Sequence, residues 1–151
     1  MLLGQQVVES QRDSESLGRA EAFPITANAS GTASSLVIYL DATSTATRLV
    51  AGLYTNGSNH PAALLAQGSS TTLTPGSWNT ITIPGVSVTT GTTYWIAVLG
   101  TGSGALVFRD NPGGSCVSES STQTTLTALP ATWSTGAVWA GSCPLSAYGA
   151  Q

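Results

Sequence analysis

Few side chains in this sequence can donate, accept or attack. Its 151 residues hold one histidine, His60, four arginines, no lysine, seven carboxylates and two cysteines. A serine hydrolase would announce itself by a G-x-S-x-G elbow and a zinc hydrolase by H-E-x-x-H, and neither pattern occurs. A Cys–His nucleophile pair would require Cys116 as a free thiol beside His60. His60, however, precedes Pro61 in a turn-rich stretch and reads as a solvated turn residue. Glycoside hydrolysis needs two carboxyl groups about 5–10 Å apart across the scissile bond. Asp110 with Glu119 is the only pair in a plausible loop setting, and its spacing is unspecific. Asp110, Asn111, Glu119 and Asp41 offer the hard oxygens that suit a structural calcium, although no D-x-D-x-D-G loop is present. Asn28-Ala-Ser and Asn56-Gly-Ser fit the acceptor pattern for N-glycosylation.

With chemistry so thinly represented, aromatic surface is the next candidate for function. The stretch LPATWSTGAVWAG, residues 129–141, places Trp133 and Trp139 among small, flexible and hydroxylated residues, outside any clean alternating pattern. Both are expected to stand on the surface as a platform, against the alternative of a lid over one open end of the fold. Tyr54, leading into TNGSNHP, and Tyr148 near the C-terminus share that exposed character. Trp95, Phe23 and Phe108 read as core, and Trp78 as a cap on one end of the core.

Composition narrows the partners. Charged residues make up 7% of the chain and the net charge is -3, so no basic surface exists to hold phosphates and nucleic acid is excluded. The longest apolar runs, such as YWIAVLG, fall far short of the roughly 18 residues that a membrane helix needs. Richness in Val, Ile, Leu and Thr argues for a folded chain. Cys116 and Cys143 have no C-x-x-C spacing and sit in a Thr-, Ser-, Gly- and Asn-rich chain of extracellular style, which favours a disulfide between them. Two buried free thiols are the alternative. The length suits one domain, residues 1–151, expected to be a module cut from a longer secreted polypeptide.

The elements that must position these residues are strands. SLVIYLD, TRLVAGLY, WNTITI, TTYWIAVLG and ALVFRD are short, β-branched or aromatic, and bounded by Gly, Pro, Asn or Ser. The spacing predicts an all-β fold, an antiparallel two-sheet β-sandwich of jelly-roll type. Leu36, Ile38 and Leu40 share one face of their strand, with Val37, Tyr39 and Asp41 on the other. Leu49, Ala51 and Leu53 likewise oppose Val50 and Tyr54. In TTYWIAVLG both faces are apolar, Tyr94, Ile96 and Val98 on one and Trp95, Ala97 and Leu99 on the other, which marks a central strand. TNGSNHPAALLAQG reads as a long turn with at most a helical turn over Ala62–Ala66. The charge-rich QRDSESLGRAEAF reads as an exposed loop between strands.

The ordered series AEAFPITANASGTASSLVIYLD, LVAGLYTNGSNHPAALLAQG, WNTITIPGVSVTTGTTYWIAVLG and LPATWSTG resembles the bacterial secreted β-sandwich accessory modules that accompany glycoside hydrolases and cell-surface proteins, carbohydrate-binding modules among them. The resemblance implies a non-catalytic, secreted domain that binds polysaccharide beside a covalently linked catalytic domain. Sugar rings stack their C–H faces on aromatic side chains and their hydroxyls meet Asn, Asp and Arg. The expected ligand is a plant-type β-glucan, such as cellulose, mixed-linkage glucan or xyloglucan. The expected site is Trp133, Trp139 and Tyr54 for stacking, with Arg109, Asp110, Asn56 and His60 for hydrogen bonds. No cofactor is expected beyond that possible calcium. The rival is a structural or adhesive spacer whose aromatics seal the fold.

Overall fold

The computed structural model describes all 151 residues and contains twelve strands and no helix. The strands are β1 (Leu3–Gly4), β2 (Gln11–Glu15), β3 (Ala20–Thr26), β4 (Gly31–Leu40), β5 (Arg48–Gly57), β6 (His60–Ser70), β7 (Ser77–Val88), β8 (Thr93–Thr101), β9 (Leu106–Asp110), β10 (Val117–Ser121), β11 (Thr135–Ala140) and β12 (Ala147–Ala150). They form two antiparallel sheets packed as a β-sandwich. In the first, β4 pairs along one edge with β7 and along the other with β12 and, at Leu40, with β9; β1 continues beyond β12 and β2 beyond β9. The second runs β11-β10-β3-β8-β5-β6. Pairings of this range, such as Leu3 with Gly149 or Ala22 with Glu119, bring the ends of the chain together.

The main core lies between the sheets and follows the alternation in the sequence. Leu36, Ile38 and Leu40 of β4 meet Leu49, Ala51 and Leu53 of β5 and Tyr94, Ile96 and Val98 of β8, and Phe23 packs edge-on against Phe108 at 5.7 Å. The opposite face of the second sheet is also apolar, as β8 required. Trp95, Ala97, Leu99, Val50, Tyr54, Ala20 and Ala22 form a second cluster there. An uncovered apolar face of that size would be unfavourable in water. The chain between β10 and β11 covers it: Leu126, Leu129 and Trp133 lie across the sheet. This strap is tied down by paired bonds between Leu129 and the Gln67 amide, by Tyr54 Oη donating to the carbonyl of Pro130 (2.6 Å), and by Trp133 N donating to the carbonyl of Ala62 (2.9 Å). Gly52 makes room for it, since a Cβ there would stand 2.5 Å from Leu129 Cδ1.

Two segments differ from expectation. TNGSNHPAALLAQG is a β5–β6 hairpin instead of a loop with a helical turn. Its turn residues Ser58 and Asn59 have φ of 52° and 64°, the left-handed pair whose twist matches a two-residue hairpin. QRDSE is strand β2, paired residue by residue with β9, and not a loop. Trp78 also departs from the core position expected of it. It lies half-buried on the outer face of the first sheet between Tyr39 and Tyr148, with ring centroids at 5.4 and 5.5 Å.

Cys116 and Cys143 are bonded to one another, 27 residues apart, and bracket the β10–β11 hairpin together with its strap. Closing a loop of that length removes roughly 3 kcal/mol of unfolded-chain entropy. Reduction is therefore expected to lower the melting temperature by roughly 6–12 °C. Proteolysis of the reduced protein should begin between residues 122 and 142. A thermal melt with and without reductant, followed by limited proteolysis, checks both, and unchanged melting would show that the hairpin is held by packing alone.

Candidate functional site

Strand β2 is one edge of the first sheet and β11 one edge of the second. Between them the sandwich is open, and the opening is polar. In the β2–β9 pairing Gln11 stands opposite Asp110, Asp13 opposite Phe108 and Glu15 opposite Leu106. Because Phe108 and Leu106 are core residues, Gln11, Asp13, Glu15 and Asp110 all point inward. From the facing sheet Glu21 shares the inward side of β3 with Phe23, and Ser118 and Ser120 share the inward side of β10. The result is a cleft of about 260 Å³ lined by Gln11, Asp13, Glu15, Glu21, Trp139 and Ser142 among others.

Trp139 forms the rim of this cleft. It pairs in register with Ser118, and its indole Nε1 donates to Ser120 Oγ at 2.9 Å while 46% of the residue remains exposed. Ser120 Oγ in turn donates to Glu15 Oε2 (2.7 Å), and Ser118 Oγ donates to Glu21 Oε1 (2.9 Å). The indole is thus fixed at its polar edge and free over much of its surface.

The carboxyl groups are crowded and poorly compensated. Burial, then the charge of Asp13, pushes Glu21 up to about 9, with Glu15 and Asp110 adding to the shift and the Ser118 hydrogen bond opposing it. Burial and the adjacent carboxyl of Asp13 push Asp110 up to about 8, with Glu9 contributing. Burial also raises Glu15. Asp110 is 0% exposed, no N–H of the protein reaches either of its oxygens, and its carboxyl shares a hydrogen bond with that of Asp13. The one cation nearby, Arg19, stands 3.9 Å from Glu15. Arg12 and Arg109 project from the other face of the first sheet, where Asp41 binds both, Arg109 Nε at 2.6 Å and Arg12 Nε at 3.1 Å. Hydrogen bonds from Thr43, reinforced by Arg109 and Arg12, hold the Asp41 carboxyl well below the usual range.

The residues expected from the sequence to form one platform are dispersed. Trp133 is 7% exposed and packs edge-on against Tyr54 at 5.4 Å, so these two are core under the strap instead of surface. The small residues next to Trp133 in sequence do not bury it; Val50, Tyr54 and Leu64, distant in sequence, do, together with Leu129. Arg109 is held by Asp41. Asn56 Oδ1 accepts a hydrogen bond from Trp95 Nε1 (2.9 Å), and His60 pairs with the buried Glu119, which also accepts from Thr135 Oγ1 at 2.6 Å. Asn56 and His60 lie at the β5–β6 turn, apart from the cleft. Of the seven, Trp139 lines the cleft and Asp110 stands next to it. Asp110 faces inward whereas Glu119 faces the outer side of the second sheet, so the two do not flank a common bond as a glycosidase pair must. The bonded cysteines leave no thiol for a Cys–His pair. The oxygens considered for calcium are likewise divided among three faces, and no three His, Cys, Asp or Glu side chains come together to hold a metal ion.

The sequence reading missed Asp13, Glu15, Glu21, Ser118 and Ser120. The available signal was the alternation in QRDSE, which places Gln11, Asp13 and Glu15 on one face as soon as the segment is read as a strand. The remaining aromatic surface, Tyr39, Trp78 and Tyr148, has rings tilted by 69° and 55° to one another. Trp78 meets Tyr39 edge to face and Tyr148 at a tilt, so the three rings do not present a common plane.

No family model matches the chain, and no curated protein matches it. Among solved structures the fold is similar to chitosan-binding module 1 derived from a chitosanase/glucanase of Paenibacillus sp. IK-5, with 14% identity over 65% of this chain and 71% of that one and a TM-score of 0.37. A likeness at that level does not bear on ligand or site.

Proposed function

We propose that the protein is a non-catalytic carbohydrate-binding module that holds a β-linked polysaccharide, in the first instance a β-glucan, against Trp139 and directs an attached enzyme to it. The observation that carries this reading is the state of Trp139: a large aromatic ring half open to solvent, yet fixed through Nε1 to Ser120 at the rim of a polar cleft. An indole held in this way loses little side-chain entropy on stacking with a sugar, which favours affinity. The side chains around it, Gln11 and Ser142, can meet sugar hydroxyls.

Electrophoresis through a gel containing soluble β-glucan tests the reading. The protein is expected to be retarded, and Trp139→Ala to weaken binding by roughly ten-fold, equivalent to about 1.4 kcal/mol of stacking, with melting almost unchanged because the ring is half exposed. Equal retardation of variant and parent would move the ligand away from this rim. No retardation on any glycan gel would favour the spacer reading. Release of reducing ends would point instead to hydrolysis by the carboxyl groups of the cleft.

A further inference from the structure

We infer that a cavity on the outer face of the second sheet, walled by the end of the β5–β6 hairpin, is a second subsite that takes one neutral sugar residue, and that the His60–Glu119 pair holds that wall in place. The inference rests on the carbohydrate-binding reading and adds a site on the other side of β10 from the Trp139 cleft.

The cavity follows from how the hairpin is bent. In the order β10-β3-β8-β5-β6, four strand spacings of ~4.8 Å separate β10 from β6, so a flat sheet would leave His60 roughly 19 Å from Glu119. The two are nevertheless paired. The hairpin end must therefore curl back across β8 and β3. The pairing of β5 with β6 is irregular on both sides of Tyr54, which supplies the bend. Glu119 is fully buried and also accepts from Thr135 Oγ1, so β10 and β11 both anchor the clasp. Beneath it lies a cavity of about 300 Å³. Pro24 and Trp95 form its floor, Asn56 and Asn59 the wall on the hairpin, and Ser115 and Val117 the wall at β10, which the disulfide at Cys116 ties down. Alternation along β10 turns Val117 outward while Ser118 and Ser120 face the cleft, so the two sites lie on opposite sides of the sheet.

The lining selects the ligand. None of its residues is charged, so an ionised ligand would lose its hydration there without a compensating partner. The floor is apolar and deep, with Trp95 2% exposed. Trp95 Nε1 donates to Asn56 Oδ1 (2.9 Å), which fixes the amide and leaves its Nδ2 for a ligand oxygen. Asn59, Thr93 and Ser115 add a second amide and two hydroxyls. An apolar floor edged by a few hydrogen-bonding groups suits a sugar ring, its C–H face below and its hydroxyls at the sides. The volume stands at the lower end of the roughly 300–1,000 Å³ usual for ligand sites. It has room for one ring and not for a length of chain.

Each site has its own indole N–H, so an NMR titration of the isotope-labelled protein reads them separately. Glucose and cellotetraose are the ligands, glucuronate and glycerol the controls. Glucose is expected to shift the Trp95 Nε1–H and Asn56 Nδ2 signals saturably, cellotetraose to shift those of both Trp95 and Trp139, and glucuronate to bind the cavity at least ten-fold more weakly than glucose. Asn59→Gly, which tolerates the left-handed turn at φ 64° and removes the amide, should weaken the Trp95 response at least five-fold and leave the Trp139 response as it was. His60→Ala should do the same by releasing the wall, and His60→Gln, still able to donate to Glu119, should restore most of the loss. A response at Trp139 alone would overturn the subsite and leave the carbohydrate reading standing. A response at Trp95 alone would overturn Trp139 as the platform and leave the subsite standing. If neither responds, both fail. Equal shifts with glycerol, or a Trp95 response untouched by Asn59→Gly and His60→Ala, would overturn the subsite.

Discussion

Replacing Trp133 by Ala is expected to destabilise the protein by roughly 3–5 kcal/mol, lowering the melting temperature by on the order of 10 °C, whereas Trp139→Ala should change it by only about 1–2 °C. The two tryptophans are six residues apart in similar local sequence, so the contrast isolates burial as the cause. Trp133 closes the second apolar cluster: it stacks edge-on upon Tyr54, touches the same cluster as Leu129 and Val50, and its backbone N anchors the strap to β6 at Ala62. Truncation would leave a cavity over Tyr54 and Trp95 and loosen the strap that hides them. Trp133 Nε1 is buried without a hydrogen-bond partner, so Trp133→Phe, which discards that group and keeps an aromatic ring, should recover more than half of the loss. Equal melting of Trp133→Ala and the parent would mean that the strap does not seal the sheet.

The same contrast shows what the sequence reveals and what it does not. Strand β8 is legible because both of its faces are apolar, and the structure divides them as the alternation requires, Tyr94, Ile96 and Val98 into the main core and Trp95, Ala97 and Leu99 into the second cluster. Burial of Trp133 is not legible, because the residues that cover it lie on β5 and β6, some 70 to 80 positions earlier in the chain. Local composition says only that its neighbours are small. The cleft fails to appear for a related reason. Asp13, Glu15 and Glu21 look like a solvated charge run until the pairing of β2 with β9 is known, and that pairing joins segments about a hundred residues apart. The β5–β6 turn misleads in another way. Asn56-Gly57 carries the familiar turn signature, yet the turn falls on Ser58-Asn59, one pair later.

Stability is expected to decline as the pH is raised from 5 to 8.5, by at least about 5 °C in melting temperature, and Glu21→Gln should remove a large part of that slope. Glu21 and Asp110, pushed up to about 9 and about 8 by burial and by one another's neighbours, titrate near 4.5 and 3.8 when unfolded. Between those limits the folded protein retains protons that the unfolded chain has released. The stabilisation they provide is complete below about pH 4 and is lost progressively as the pH climbs towards 9. Glu15, also raised, acts in the same direction. Asp41 has the opposite sign, but its carboxyl is held below the usual range, so its contribution is already complete above about pH 5 and constant across the window. Melting curves recorded every half unit, at constant ionic strength, measure the slope. A flat or rising profile would mean that water or a counter-ion already compensates the buried carboxyl groups.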